Sequence, residues 1–375
     1  MKTLILLTAC VALVAYLVPD ADSPVAGNGP DAAQVRESYR KSYAGEKAKD
    51  YAGAMAAIES LPADYLRELR LGWLCYLSAN APRAEEHYRA AIKAEPNSVE
   101  ARLGYTLVLT AQERFADTET VARQVIELDA LNYYANLRLA YALRMQKKYP
   151  QADEVAERMA RFYPADAGVL AEQATLAAAQ GRPAKSLPAQ ETLNGYAASY
   201  QAETAMRYAE AIKAMGPLIQ ANAVDYAANL RLGWLYYLNG EYVDSLRHYA
   251  LAVKASPVSI EARLGFTLPL MARAQYVELE KATRQILAAD PGNYYANLRL
   301  AFALRMQKKP DQAETAAKAL LGRYPTDVSV LTELALVRVA QDQKEEAARW
   351  FERILILDPD NATAKQQLLK APAAR

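Results

Sequence analysis

Histidine and cysteine are scarce in this chain. Its 375 residues hold two of each: His87 and His248, Cys10 and Cys75. A zinc site needs several convergent His, Cys or carboxylate ligands, and a nucleophile needs an activating base beside it. Two imidazoles leave little room for either chemistry. If the N-terminal segment is removed, Cys75 remains alone and no internal disulfide can form. Charge bias is missing too: 44 basic residues stand against 43 acidic ones. A nucleic-acid binder usually gathers a basic excess on one face, so that class has no support. Long runs of alternating Val, Ile and Thr are absent, which removes the material for a sheet. Phosphate-cradling glycine loops, the H-E-x-x-H helix and the G-x-S-x-G elbow are absent as well. No cofactor, metal or catalytic constellation is therefore expected.

Export is suggested by the first residues. Lys2 precedes an apolar run from Leu4 to Val18, followed by Pro19 and Asp20. A run of about 15 residues suits a signal-peptide core better than a transmembrane helix of about 20. The polar, small-residue stretch from Asp20 to Pro30 lacks a good A-x-A cleavage site. An uncleaved anchor is the alternative. Leu7–Cys10 resembles a bacterial lipoprotein box, although the apolar run continues past Cys10. The expectation is a periplasmic or secreted protein that meets a membrane only through residues 1–27.

The chain repeats at two scales. Residues 65–170 align without gaps onto 226–331, an offset of 161, with roughly half the positions identical. Asn132–Gln146 reads NYYANLRLAYALRMQ and Asn293–Gln307 reads NYYANLRLAFALRMQ. Within each block runs a shorter period of about 34 residues. In 133–166, Leu139, Ala140 and Leu143 share one helical face, and Ala152, Ala156 and Met159 form a second. A polar break at Lys147–Pro150 separates them and Pro164 ends the second helix. This is a helix hairpin that buries its apolar face only by stacking on its neighbours.

These residues resemble the tetratricopeptide repeat. Its pattern of Leu-Gly, Ala, aromatic, Ala and Pro is met by Leu71-Gly72, Ala84, Tyr88, Ala91 and Pro96. It recurs as Leu232-Gly233, Ser245, Tyr249, Ala252 and Pro257, and as Leu334-Ala335, Ala347, Phe351, Ile354 and Pro359. Residues 97–132 and 258–293 read as repeats two residues too long. Residues 31–64 and 195–225 match weakly, through Tyr51/Ala54 and Tyr208/Ala211. Gly181, Pro183 and Pro188 interrupt the fourth repeat of the first block, and 362–370 reads as a capping helix. The expected fold is all-α, an α-solenoid of antiparallel helix hairpins. One block covers 28–194 and a second covers 195–375.

The resemblance implies a protein or peptide partner held in a groove lined by the first helices. Six of those helices carry Arg-Leu-(Gly/Ala)-aromatic: Arg70/Trp73, Arg102/Tyr105, Arg138/Tyr141, Arg231/Trp234, Arg263/Phe266 and Arg299/Phe302. Residues three apart are neighbours on a helix. No acid lies three or four positions from any of these arginines, so their counter-charge comes from another helix or from a ligand. Glu172 and Glu333 occupy the arginine position in two further helices. In co-chaperone members of the family, that position belongs to a carboxylate clamp. Asn136, Asn229 and Asn297 are present here but the matching lysines are not, so that ligand is not implied. One reading is a ladder that grips an acidic or extended segment, since guanidinium matches carboxylate in a bidentate fashion. The other is that each arginine ties adjacent repeats together. Tyr133-Tyr134 and Tyr294-Tyr295 fall to packing or to the groove rim. His87 and His248 are expected to be exposed and neutral in role. A non-catalytic interaction scaffold is the leading expectation, with a self-associating structural protein of the envelope as the alternative.

Overall fold

The computed structural model describes residues 32–183 and 189–370. The leader assigned to residues 1–27, with its Cys10, and Pro188 lie outside these. Among the described residues every regular element is a helix. An opening hairpin, α1 (Ala32–Lys47) and α2 (Tyr51–Glu59), precedes the first block. That block contains α3 (Tyr65–Leu77), α4 (Ala81–Ala94), α5 (Val99–Ala111), α6 (Phe115–Leu128), α7 (Tyr133–Met145), α8 (Tyr149–Phe162) and α9 (Ala167–Ala179). A second opening hairpin, α10 (Gln190–Thr204) and α11 (Tyr208–Ala214), leads through α12 (Gly216–Ala221) into the second block. There follow α13 (Tyr226–Leu238), α14 (Tyr242–Ala255), α15 (Ile260–Ala272), α16 (Tyr276–Ala289), α17 (Tyr294–Met306), α18 (Pro310–Leu321), α19 (Val328–Ala340), α20 (Lys344–Leu357) and α21 (Ala362–Lys370).

The register is stricter than the sequence suggests. First helices start at Tyr65, Val99, Tyr133 and Ala167, evenly spaced, and at the same spacing again at Tyr226, Ile260, Tyr294 and Val328. The repeats read as two residues too long are of standard length. A cap fixes each start. Asp64, Ser98, Asn132 and Asp166 each accept the backbone N–H three residues on, as do Asp225, Ser259, Asn293 and Asp327. Each cap stabilises its helix by about 1 kcal/mol. The turn that follows each first helix uses one left-handed residue, and among the described residues only two of these, Gly181 and Gly240, are glycine.

Close approach of the two helices of a hairpin explains the small residues. A Cβ on Gly104 would lie 2.3 Å from Cε1 of Tyr88, and one on Gly72 3.1 Å from the same ring. Tyr88 is thus wedged between two first helices. Tyr249 is wedged in the same way between Gly233 and Gly265.

The described helices gather into two compact units, one from 1–114 and 308–375, the other from 115–307. This grouping cuts across both sequence blocks. In a simple solenoid each repeat touches only its neighbours, whereas each unit here also holds a contact between distant parts of the chain. In the first unit α1 packs on α20. The Val99 N–H donates to the Arg323 carbonyl at 2.9 Å, and the Thr326 hydroxyl donates to Glu100 at 2.6 Å. The counterpart in the second unit, shifted by the offset between the blocks, joins the Ala165 N–H to Glu261 at 3.3 Å. There Leu131, Ile260, Ile286 and Ala296 form a buried cluster with Phe162 and Tyr163 packed against it.

Candidate partner-binding surface

Numbering each first helix from its start sorts the six arginine–aromatic pairs into two sets. Arg70, Arg138, Arg231 and Arg299 stand at position six, with Trp73, Tyr141, Trp234 and Phe302 at position nine. Arg102/Tyr105 and Arg263/Phe266 sit two residues earlier, at positions four and seven. Two residues turn a helix by about 200°, so these two pairs point to a different side. The uniform ladder expected from the sequence is therefore two sets, not one.

Position six is occupied with neighbours. Arg70 is 1% exposed; its guanidinium donates to the Ser42 hydroxyl at 3.2 Å and the Ser42 carbonyl at 3.1 Å and pairs with Glu46. It also lies 4.2 Å from the ring centre of Tyr43. Trp73 Nε1 donates to the same Glu46 at 2.8 Å. The arrangement is copied in the second unit: Arg231 bonds Ser199 at 3.1 Å, pairs with Glu203 and stacks 3.9 Å from Tyr200, and Trp234 donates to Glu203 at 2.7 Å. Arg299 donates to the Leu264 carbonyl at 2.7 Å and to the Thr267 hydroxyl. Its burial pulls its pKa down. Glu172, at the same position in α9, accepts from Arg144 of α7 at 2.8 Å. Position six thus joins one first helix to the one before it. Arg138 is half-buried on α7.

The shifted pairs behave differently. Arg263 donates to the carbonyl of Pro257, just before its own helix, at 2.8 Å and to Gln285 at 3.0 Å. Arg102 donates to the Ser98 carbonyl at 2.9 Å. The Tyr105 hydroxyl donates to Glu85 of α4 at 2.7 Å and accepts from Arg89 at 3.0 Å. The three clamp-like asparagines are spent on loops: Asn136, Asn229 and Asn297 each donate to two backbone carbonyls.

Position nine remains half-open. Trp73 stacks on Tyr76 with centroids 5.7 Å apart, and Trp234 on Tyr237 at 5.8 Å. Tyr141 and Phe302 meet Phe115 and Tyr276 edge-on at 5.9 and 5.8 Å, with Arg144 and Arg305 over their faces. The first helices therefore present partly exposed aromatic rings over a frame of buried ion pairs. Tyr133 serves packing, donating to Asp166 of the next repeat at 2.8 Å, while Tyr295 is exposed.

The histidines correct an expectation. His87 is half-buried, with Nδ1 2.7 Å from Glu68 Oε2. Burial pulls its pKa down, but the neighbouring Cys75 sulfur and Glu68 carboxylate outweigh that and raise it to about 9. His248 is buried, 2.9 Å from Asn229 Oδ1 and stacked 5.2 Å from Tyr236; burial drives its pKa to about 4. The histidine is retained, but Glu68 and Cys75 in one copy are replaced by Asn229 and Tyr236 in the other. Among the described residues no group of three or more His, Cys, Asp and Glu is placed to hold a metal ion, and no helix is long and apolar enough to cross a membrane.

Sequence reasoning missed Ser42, Tyr43 and Glu46, with their copies Ser199, Tyr200 and Glu203. A signal was present: Ser-Tyr-x-x-Glu occurs at both places.

A family model described as tetratricopeptide repeat matches residues 196–260, 279–328 and 298–362. Human Protein O-mannosyl-transferase TMTC1 is 29% identical over 137 residues, 36% of this chain but only 16% of that protein. Among solved structures, a tetratricopeptide repeat protein of Parabacteroides merdae is 16% identical, covers 72% of this chain and 97% of its own, and has a TM-score of 0.37. MamA protein is 17% identical over 47% of this chain and 96% of its own, with a TM-score of 0.42. These scores are too low to transfer any geometry. The matched region contains most of 226–331, and 65–170 is its duplicate with helices at identical spacing. Residues 196–260 and 279–362 thus carry tetratricopeptide repeats.

Proposed function

We propose that this protein is a non-catalytic scaffold whose first helices hold a segment of a partner protein. The carrying observation is the half-buried position-nine aromatics, Trp73 in one unit and Tyr141, Trp234 and Phe302 in the other, with Arg70 and Arg231 beneath two of them already committed to the frame. Aromatic rings with adjacent arginine are the residues that most often dominate binding energy. Arg144, paired with Glu172, and Arg305 lie over two of these rings, so the surface offers aromatic faces edged by guanidinium groups to an extended segment. The position-six arginines act as struts. The family resemblance supports the same reading, since its members commonly bind peptides or proteins. We further propose export to the periplasm or outside the cell, on the strength of Lys2 and the Leu4–Val18 run.

The test is affinity capture from host envelope extract with the full chain, against a variant carrying Tyr141→Ser and Phe302→Ser, after circular dichroism shows equal helicity. A partner held by the parent and lost by the variant supports the surface. A partner retained at equal yield moves binding elsewhere on the molecule. Capture of nothing but further copies of the chain turns the reading to self-association. A β-lactamase fusion to the C-terminus tests export, which fails if resistance does not appear.

A further inference from the structure

The two copies differ most sharply where α15 lies between α14 and α16. In the first block this place is filled by a closed polar network. Glu85 accepts from Tyr105 at 2.7 Å and pairs with Arg89 at 2.7 Å and with Arg114, and Arg89 donates to the Tyr105 hydroxyl at 3.0 Å. At the four equivalent positions of the second block stand Leu246, Ala250, Phe266 and Gln275. Every charge and the phenol hydroxyl are gone. What remains is a trough of about 520 Å³ open to solvent, lined by Leu246 and Ala250 of α14, Phe266 and Leu270 of α15, and Ala282 of α16. Beside it, Val243 and Val277, the second residues of α14 and α16, are 62% and 65% exposed. Pro82 and Ala116 stand at those places in the first block.

The exchange of a whole charged set for apolar side chains on a solvent-facing trough is what marks this face. Its borders carry charge: Arg247 on α14 and Lys281 on α16, both exposed, with Glu278 the single acid lining it. Arg247 leans on Asp244 at 2.9 Å. The geometry points to a second docking site here, formed by α14, α15 and α16. Its occupant is an amphipathic helix of a partner protein, which inserts bulky apolar side chains between α14 and α16 and sets carboxylates against Arg247 and Lys281. An open trough between two helices suits the i, i+3/i+4, i+7 anchors of such a helix, whereas an acyl chain is better served by an enclosed cavity. The inference goes beyond the scaffold reading and does not rest on it.

The probe is a synthetic amphipathic helix with Leu at those anchor positions and Glu at the flanks, with a twin carrying Lys at the flanks. Binding to the full chain is read by fluorescence anisotropy. The key variant is Leu246→Glu, Ala250→Arg, Phe266→Tyr and Gln275→Arg together, which rebuilds a network the first block already folds around. The Glu-flanked peptide is expected to bind the parent, with affinity at least tenfold weaker for this variant and severalfold weaker for the Lys-flanked twin. If the fourfold variant misfolds, Ala250→Glu alone, at an exposed position, is expected to give the same loss. Equal binding to parent and variants, or no saturable binding of either peptide, overturns the site. So does a concentration-dependent dimer of the parent that the variants abolish in sedimentation, which would make the occupant a second copy. Tyr141→Ser alone, on α7, which contributes nothing to the trough, is expected to bind the peptide like the parent, so that failure here and failure of the scaffold reading separate.

Discussion

Replacing Glu100 by glutamine exchanges one buried oxygen for an amide nitrogen and removes a titration from the distant contact in the first unit. Glu100 accepts from Thr326 at 2.6 Å and Tyr65 at 3.0 Å, and its other oxygen is buried with no partner. Burial, opposed by the Thr326 bond and reinforced by the charge of Asp327, pushes its pKa up to about 8. The folded state therefore holds a proton that the unfolded chain, with a carboxyl near 4.5, has released. The stability of the protein should fall as pH rises from about 4.5 to about 8 and then level off. Going from 4.5 to about 8 caps the effect at roughly 5 kcal/mol. Relaxation of the site reduces this, and about 2 kcal/mol is the working expectation. Glu100→Gln keeps a carbonyl for Thr326 and Tyr65 and never ionises. In urea unfolding followed by circular dichroism, the variant should match or trail the parent at pH 5 and exceed it by about 2 kcal/mol at pH 9. Glu261, whose carboxyl is also raised by burial but which is less enclosed, should show the same sign and a smaller size. A variant weakened equally at pH 5 and pH 9 would refute the reasoning, because the carboxyl would then be ionised in the folded protein.

Other substitutions probe the frame. Arg70→Ala leaves the Glu46 carboxylate without its cation, held only by Trp73 Nε1, and should cost about 3 kcal/mol, whereas Arg263→Ala, whose bonds are exposed, should cost under about 1 kcal/mol; thermal melts decide. His87→Gln and His248→Gln should have opposite pH profiles. The raised His87 stabilises fully below about pH 6.5 and loses this through about 9, so its variant suffers most in acid. The lowered His248 makes the parent lose stability between about 6.5 and 4, a loss its variant lacks. Gly104→Ala drives a methyl into the Tyr88 ring and should cost about 1–3 kcal/mol, while Gly322→Ala, at a site with nothing within 4 Å, should be neutral or mildly stabilising.

Hairpins, period and duplication were legible because helix spacing is written locally: Ala152, Ala156 and Met159 on one face, Pro164 just past the end of α8. Register was less so. Arg-Leu-Gly-Tyr at 102–105 mimics Arg-Leu-Gly-Trp at 70–73, and matching those strings hides a slip of two residues. The caps carry the true register, since Asp64, Ser98, Asn132 and Asp166 are evenly spaced. Burial of the histidines could not be read, because the partner of His87 is Glu68 on the other helix of its hairpin, 19 residues away. The distant contacts escaped for a stronger reason. Glu100 and Thr326 are 226 residues apart, and no local pattern reports on such a pairing.

Two polar sets, unlike the surroundings of the histidines, are kept or lost whole between the copies. Arg70, Ser42, Glu46 and Trp73 reappear complete as Arg231, Ser199, Glu203 and Trp234, while Glu85, Arg89, Tyr105 and Arg114 are all exchanged at once. In both cases a partial change would leave a shielded charge without its partner, which costs more than keeping or removing the whole set. Intermediate sequences should therefore be the weak ones. Leu246→Glu alone places a carboxylate among Phe266, Leu270 and Ala282 and should lower stability by about 1–2 kcal/mol. Adding Gln275→Arg and then Ala250→Arg should return most of that, with a coupling energy of about 1 kcal/mol or more in a double-mutant cycle. Strict additivity of the three substitutions would mean that the residues do not meet, and the correspondence drawn between the polar network of one copy and the apolar trough of the other would fail with it.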